Sequence, residues 1–530
     1  MLNLKFKDND DSIGLLYISA IIGLFFMQAF FVLSPERAGK INAVYIGPLA
    51  AAMTAFVLAR TGLPKRPVLW LSLALMLWYP VTRVLNGDPY LLQSAEETGA
   101  LLLCCGALFP AGFLLSPAAR ARLMRAVAAA YAFPMSALAV IAVVCAYTGS
   151  PWVNPLDKVN VLGVNALYSF PFRLNFLGIH PNISAAYLYT ALAMLCYLFF
   201  SVRHALLKAS CLAAGAGCFL AVLLTASNAA VLVTALMAAM AAFAAVTARK
   251  PAGRKRLWRG LAAAALALCL TAASYPLLLT AVPVAPAQTP QTEPAPQAEP
   301  IPQTEPAPQT EPAPQAEPIP QAEPASQTEP APQADAAPQA QSAAAPAPQA
   351  EPVPETVPAD AVQGETLNPR LSMAGSSMAS RMVIFSAAFL AVKERPLTLL
   401  IGELREPAMV RSARLINIPL QYHLHNSFLQ TLVVGGGVAL LLALALSVYV
   451  VWNAVRLFLC YDAPLPVRLL TLVPAGLLCH AMVETLLFAD MRPPNLLFFL
   501  TAGMVLAYAA ELCPAKRAAR KAQAGGDAGA

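Results

Sequence analysis

Long apolar stretches separated by short polar ones run along most of this chain. Each stretch is about 20 residues long, the length that an α-helix needs to cross the hydrocarbon layer of a membrane. The first apolar stretch is too long for a cleaved signal peptide, and residues 1–12 before it are too charged. We therefore expect this stretch to be retained as the first span. The pattern predicts twelve spans, at 13–33, 42–60, 67–84, 97–116, 123–147, 181–201, 205–225, 228–247, 258–280, 427–452, 467–488 and 495–511.

Composition supports this interpretation. Of the 530 residues, 58% are hydrophobic and 12% are charged, and the mean hydropathy is +0.60. A soluble core cannot hide so much apolar surface. The predicted fold class is an all-α, polytopic integral membrane protein of about twelve transmembrane helices. It also includes a Pro-rich disordered outer loop and an amphipathic interfacial helix.

The chain divides into four predicted regions. Residues 1–280 form an N-terminal membrane domain of about nine helices, and 281–370 form a Pro/Gln/Glu-rich outer loop. Residues 371–512 contain a second outer loop and the C-terminal helices, and 513–530 form a cytoplasmic tail.

Lys and Arg residues predict the orientation. They concentrate in alternate connections, which marks those connections as cytoplasmic. Both termini then lie in the cytoplasm and the long loop outside, as in a bacterial inner-membrane protein. The net charge of +7 therefore reflects topology, and no basic-aromatic pattern suggests nucleic acid. The cytoplasmic connections contain Arg60, Lys65, Arg66, Arg120, Arg122, Arg125, Arg203, Lys208, Arg249, Lys250, Arg254, Lys255, Arg256 and Arg259.

A hexapeptide repeat of the type PQTEPA begins at Pro290. Its prolines remove backbone donors and favour polyproline II, and it has too little apolar surface to fold alone. Between 281 and 370 there are twelve acidic residues and one Arg, so this segment differs electrostatically from the rest. It is either a spacer or wall-facing arm, or a tolerated low-complexity insertion, and the insertion is the favoured interpretation.

The segment 378–393 has apolar residues at helical spacing but is short for a span, and Pro396 disfavours its continuation. We expect an amphipathic helix in the outer interface, with Arg381 near its start. More outer-loop cations follow: Arg405, Arg411, Arg414, His423 and His425. Such a cluster predicts a pocket for an anion such as phosphate or pyrophosphate, and lipid-headgroup contact is the alternative.

His423, His425 and Asn426 stand where this polar loop enters the tenth predicted span. Ionisable and polar groups at a membrane surface are costly unless they are paired or used, so this cluster is the main site candidate. The ten cysteines show no zinc-type spacing, and no metal or other cofactor is predicted.

The run from His425 through Gln430, followed by the glycines 435–437, resembles the O-antigen ligase and polymerase superfamily of bacterial envelope glycosyltransferases. Ser380-Arg381, Pro396 and Gly402 stand upstream at about the family's spacing, and Arg173-Leu174 followed by Pro181-Asn182 is a further local likeness. The resemblance is specific over about 379–440 and architectural elsewhere. Two departures stand out: the turn 225–228 lacks the arginine that the ligase branch usually carries, and the glycine-rich turn after the proline is reduced to Gly402-Glu403-Leu404.

The resemblance implies a polyprenyl-pyrophosphate-linked oligosaccharide as donor and a glycan, lipid or protein hydroxyl as acceptor, without a cofactor. His425 would then act as the base or position the acceptor, since the imidazole pKa of about 6.5 lies near operating pH. Arg381 and Arg173, with Arg411 as a substitute, would contact the pyrophosphate. Asn426 would orient the loop and cap the helix. A direct role for His423 is the less favoured interpretation.

His480 and Glu484 lie four residues apart in the eleventh predicted span, and so would share one helix face. We expect a buried His–Glu pair that holds helices together, with a supporting role at the site as the alternative. For the chain as a whole, the competing function is a multi-span polysaccharide transporter or flippase. Against it, no two-half repeat is evident and the early spans contain few charges.

Overall fold

A computed structural model describes residues 2–31, 42–60, 66–87, 99, 101–148, short pieces of 160–175, 181–225, 227–248, 254–281, 381–403 without 383, 387 and 391, 424–488 and 492–513. The chain divides into two units, one formed by 1–286 with 372–530 and the other by 287–371. The hexapeptide repeat falls in the second unit, which lies outside the described residues.

The architecture is helical. The α-helices are α1 (Leu2–Phe31), α2 (Gly47–Arg60), α3 (Pro67–Leu85), α4 (Phe109–Leu114), α5 (Pro117–Thr148), α6 (Pro181–Ser201), α7 (Ala205–Leu224), α8 (Asn228–Thr247), α9 (Arg254–Ala281), α10 (Thr398–Ile401), α11 (Ser427–Phe458), α12 (Leu465–Leu469), α13 (Leu472–Ala481) and α14 (Pro493–Leu512). Two π-helical segments, Asn42–Ile46 and Leu102–Leu108, lead into α2 and α4.

Short strands add a detail that the apolar pattern does not predict. They are β1 (Asn160–Val161), β2 (Val164–Asn165), β3 (Leu167–Ser169) and β4 (Arg173–Asn175). They form two antiparallel ladders, β1 with β2 and β3 with β4, in which Ser169 pairs with Arg173. They lie in the connection before α6 and do not alter the helical class of the fold.

Eight helices in the described part of the chain are long and apolar enough to cross a membrane: α3, α5, α6, α7, α8, α9, α11 and α14. The other four predicted spans overlap shorter apolar helices, at Asp11–Leu24, Val44–Arg60, Leu102–Leu114 and Leu465–Ala481. The protein is therefore a multi-pass membrane protein by its helices, while the number twelve stays a prediction.

The helices differ in how much of their surface other helices cover. In the most apolar window of α14, 83% of the residues are buried inside the protein, against 11% in α9. An apolar helix that other helices leave uncovered needs lipid around it, because its side chains are unfavourable in water. We therefore place α14 at the centre of the bundle and α9 at its margin.

One predicted span ends earlier than expected. The pattern over 467–488 predicts a continuous helix, but α13 ends at Ala481 and 482–488 continues as turns and extended chain. Phe488 has φ +75°, a left-handed conformation that is incompatible with a regular right-handed α-helix. The side chain of Asn495 bonds both the N–H of Phe488, at 3.1 Å, and its carbonyl, at 3.3 Å. These side-chain bonds replace the helical ladder, a substitution that apolar spacing does not reveal.

The expected amphipathic helix is present where the structure describes it. Residues 381–394 are helical apart from the three undescribed positions. Ile384, Ala388 and Val392 are buried at four-residue spacing and cluster with Leu424 and Leu429 beside the histidine loop. Apolar side chains on the same segment, including Phe389, are exposed, and the position of this helix at the membrane interface stays a prediction.

Helix α11 is broken at Gly436, which has φ +76° and ψ −178°, a conformation essentially restricted to glycine. The break is packed against Gly402, which has φ +73°. A Cβ atom added to Gly436 would lie 2.3 Å from the Leu400 carbonyl oxygen, and one added to Gly402 would lie 2.3 Å from that of Val434. The two backbones are therefore in direct contact.

Carbonyl groups near the break find partners outside their own helix. The N–H of Glu403 donates to the Val433 carbonyl at 2.8 Å, and the indole of Trp78 donates to the Gly435 carbonyl at 2.7 Å. A break at membrane depth needs such partners, because lipid offers no hydrogen bonds. The first bond holds the segment 398–403 on α11, and the second joins α11 to α3.

An ion pair joins the start of α5 to the end of α14. Arg120, at the start of α5, is 2% exposed and makes a two-pronged contact with Glu511 near the end of α14. Its Nε donates to the Leu115 carbonyl at 2.8 Å, and its guanidinium lies 4.7 Å from the centroid of the Tyr508 ring. This contact ties the two helices together at the predicted cytoplasmic end.

Candidate functional site

His425 occupies a strained position immediately before α11. Its φ is +49°, which is uncommon for a residue other than glycine. Its side chain is 18% exposed, and Nδ1 lies 3.0 Å from Oε1 of Glu484. Such strain persists only where the surroundings impose it and is frequent at functional sites. The structure thus supplies a geometric reason to single out this histidine.

Glu484 is the centre of the site. Its side chain is 1% exposed, and the acid follows the end of α13 rather than lying on a helix face. The Asn182 side chain donates to Oε2 at 3.0 Å, and the Thr485 N–H donates to Oε1 at 3.2 Å. Asn182, Glu484 and His425 therefore form a hydrogen-bonded chain from α6 to the loop before α11.

Asn426 and Ser427 fix the backbone on either side of this chain. Asn426 is the N-cap of α11, as predicted: its Oδ1 accepts from the N–H groups of Phe428 and Leu429, both at 2.9 Å. Its amide also donates to the Met482 carbonyl at 2.8 Å. The Ser427 hydroxyl donates to the Glu484 carbonyl at 3.0 Å. It also accepts from the backbone N–H groups of Leu486 and Leu487, which follow Glu484 in the chain. The start of α11 is thereby bonded to the segment containing Glu484.

The His480–Glu484 pair expected on one helix face is a wrong prediction. A buried histidine–glutamate pair exists, but its histidine is His425. The helix stops at Ala481, so Glu484 does not follow His480 by one helical turn. Among the described residues, neither ring nitrogen of His480 has a hydrogen-bond partner, and its ring lies against Tyr189, with centroids 5.4 Å apart.

The structure describes only some of the predicted cationic residues. Arg381 is half-buried at the first described position of the interfacial helix, and no hydrogen bond or ion pair joins it to another described residue. Arg173 begins β4, and nothing is described of its side chain. Arg411 and His423 lie in 404–423, outside the described residues. The anion-binding expectation therefore stays a prediction.

Sequence reasoning missed the role of Asn182 and the loop position of Glu484. Asn182 stands at the second position of α6, 302 residues away from Glu484 along the chain. The pair Pro181-Asn182 stood out only as a local likeness to the superfamily, with no role for Asn182. Its partner cannot be identified from a single sequence, since no local pattern links residues so far apart.

The arrangement suits proton transfer. With Nδ1 at Glu484, the tautomer and the ring orientation of His425 are set, and a carboxylate in this position stabilises the imidazolium that forms when Nε2 takes a proton. The described residues contain no group of three or more His, Cys, Asp or Glu side chains placed to hold a metal ion.

These features define a multi-pass membrane protein with a buried carboxylate and a strained histidine at one end of its bundle. Comparison with protein-family models, with curated proteins and with solved structures found no match for the chain.

Proposed function

We propose that this protein is an envelope glycosyltransferase of the O-antigen ligase and polymerase type. It would transfer or polymerise glycan from a polyprenyl-pyrophosphate donor on the outer face of the cytoplasmic membrane. The observation that carries the proposal is the Asn182–Glu484–His425 chain, whose histidine lies within the segment 379–440 that resembles that superfamily. The resemblance identifies the histidine, and the hydrogen-bonded carboxylate gives it a chemical role.

In the proposed reaction the acceptor hydroxyl attacks the anomeric carbon of the donor sugar. Nε2 of His425 takes the hydroxyl proton, a new C–O bond forms, and the bond from the anomeric carbon to the pyrophosphate oxygen breaks. Glu484 stabilises the imidazolium, and Asn182 holds the carboxylate. Such a positioned base contributes about 10²–10⁴-fold to a rate.

The leaving polyprenyl pyrophosphate needs cationic partners as its charge grows. Arg381 is the best-placed candidate, because its helix packs through Ile384 and Ala388 on Leu424, next to His425. Arg173 and Arg411 are the further candidates. The acceptor is a glycan, lipid or protein hydroxyl, and polymerase and ligase remain two outcomes of one chemistry.

A transporter or flippase is the second candidate, and one observation favours it. Helix α11 is broken at Gly436, and discontinuous membrane helices are typical of transporters. In that function the break would bind substrate, and His425 would be dispensable for forming glycosidic bonds.

The decisive experiment compares glycan in cells that carry wild type, His425→Asn, His425→Ala or no copy. Asparagine tolerates positive φ and retains an amide near the position of Nδ1, so it preserves the loop while removing Nε2. We expect both variants to match the cells without a copy at normal membrane abundance. Single repeat units left on lipid would indicate a polymerase, and long chains stranded on lipid a ligase.

His204→Ala is the matched control, because His204 lies at the predicted cytoplasmic end, before α7, and makes no cap hydrogen bond. It should behave as wild type. If His425→Asn also forms normal glycan while cells without the protein do not, the enzyme proposal is wrong and transport becomes the leading candidate.

A further inference from the structure

Two buried aromatic side chains meet further along the helices that carry the site. Tyr189 lies seven residues after Asn182 on the same face of α6, and His480 lies on the last turn of α13. Their rings are 5.4 Å apart at an angle of 30°, and neither residue is more than 1% exposed. In the described part of the chain, the Tyr189 hydroxyl and both His480 nitrogens lack a hydrogen-bond partner.

Neighbouring hydroxyl groups share this property. Thr190 on α6, Thr234 on α8 and Thr485 beside Glu484 also have buried, unpartnered Oγ1 atoms within the described residues. Six of the nine such side-chain atoms belong to these five residues, on helices α6, α8 and α13 that pack against one another, or directly after α13. By contrast, the buried Thr431 and Thr501 each donate to a carbonyl of their own helix, at 2.7 and 2.6 Å.

Burying these atoms without partners is unfavourable. A neutral imidazole has one N–H and one lone pair, and each loses its water on burial. The two rings do not satisfy each other, since neither the Tyr189 hydroxyl nor a His480 nitrogen has a hydrogen-bond partner among the described residues. The packing closes these atoms to solvent, so a partner must be small.

We propose that Tyr189 and His480 bind a single hydroxyl group, either water or an alcohol from a membrane-derived acceptor. Tyrosine, histidine and threonine offer both donors and acceptors, which a hydroxyl matches because it also donates and accepts. A bound hydroxyl would join α6 to α13 below the Asn182–Glu484 bond and so help to fix the segment that carries Glu484. The site does not depend on the proposed transfer reaction.

The test is the sign of a change in melting temperature. Full-length wild type and Tyr189→Phe are compared in phosphatidylcholine nanodiscs, whose lipid has no hydroxyl group, and in native membranes. An occupied site predicts that Tyr189→Phe lowers Tm by about 2–4 °C, because a satisfied hydrogen bond is lost. An empty site predicts an unchanged or raised Tm, because the substitution removes an unsatisfied group, and that result would overturn the proposal.

Tyr131→Phe is the matched control, since the Tyr131 hydroxyl is equally buried and donates to the Tyr187 carbonyl at 3.0 Å. It should lower Tm in both preparations. A fall for Tyr189→Phe in nanodiscs as well identifies water as the ligand, whereas a fall confined to native membranes identifies a membrane-derived alcohol.

A density map of the protein, in whichever preparation shows the fall, gives a second readout. The proposal predicts a separate peak within about 3.2 Å of a His480 nitrogen. A map without that peak, or with the Tyr189 hydroxyl bonded directly to His480, would overturn it. Either result leaves the glycan experiment on His425 unaffected, so the two proposals can fail separately.

Discussion

Two carboxylates at opposite ends of the bundle show how differently this protein uses an acidic side chain. Glu511 is 43% exposed and pairs with the buried guanidinium of Arg120, whereas Glu484 is 1% exposed and bonds the amide of Asn182, the backbone N–H of Thr485 and the ring of His425. The segment that contains Glu484 bonds Asn495 at the start of α14, and Glu511 lies near the end of that helix, about 24 Å further along its axis.

The difference indicates which end carries chemistry. At Glu511 the charge meets a permanent cation on regular helices, an arrangement suited to holding α5 and α14 together. At Glu484 the carboxylate meets a titratable ring on strained backbone, held by a turn that replaces a helix. A group whose protonation can change, in a conformation that costs energy, is the combination expected at a functional site.

The largest expected effect separates the two carboxylates. Glu484→Gln should reduce glycan formation by about 100-fold or more at unchanged abundance, because the imidazolium loses its counter-charge. Glu511→Gln should preserve the activity per molecule and lower the free energy of unfolding by about 2 kcal/mol, because the buried Arg120 loses a charged partner. Glycan profiles and thermal unfolding of the purified variants measure both. Equal losses of activity at normal stability would remove the functional distinction between the two ends.

Gly436→Ala should cost the next largest amount, at least about 2 kcal/mol of stability, because a Cβ atom overlaps the Leu400 carbonyl and φ is positive. Gly23→Ala is the matched control, since a Cβ there meets nothing within 4 Å and the residue lies inside α1. It should be neutral or stabilising. Membrane abundance and Tm would show the contrast, and a tolerated Gly436→Ala would mean that α11 is not broken there.

Asn182→Ala should reduce activity about 10-fold while the fold persists, because Glu484 loses a hydrogen bond but keeps its bonds to His425 and Thr485. Asn182→Asp should be worse than alanine, since it places a second carboxylate against Oε2. The amount of glycan formed per molecule of protein measures the order of the two variants. The reverse order would show that the amide does not act through Glu484.

Substitutions of Asn426 should have the smallest effect, and two variants separate its two hydrogen-bonding roles. Asn426→Asp keeps the cap acceptor and loses the amide bond to the Met482 carbonyl, whereas Asn426→Ala loses both. We expect alanine to cost about 1 kcal/mol more than aspartate in thermal unfolding. Identical stabilities would mean that capping contributes little at this helix start.

The membrane helices were predictable because their apolar runs are local and long. Each predicted span overlaps a helix, and the cap at Asn426 follows from a polar residue directly before an apolar run. The helix at 381–394 was likewise predictable from its apolar spacing and from Pro396. These features depend on neighbours in sequence, where period and composition carry the signal.

The site itself was only half predictable. His425 and Glu484 were both singled out, but Glu484 was paired with His480, because four-residue spacing in an apolar run predicts a shared helix face. The helix ends early through bonds between Phe488 and Asn495 and between Ser427 and the Leu486 and Leu487 N–H groups. Such termination by distant side chains leaves no periodic trace in the sequence.

The contact between Gly402 and Gly436 has a consequence for inheritance. Neither glycine can be replaced, because a Cβ atom would overlap the main chain of the other segment. A substitution in that other segment changes only its side chain and leaves its main chain in place. A loss at one position therefore cannot be repaired by a compensating change at the other. A genetic screen for restored function should return reversion to glycine at the mutated codon. Synonymous changes at the two glycine codons should occur independently of each other.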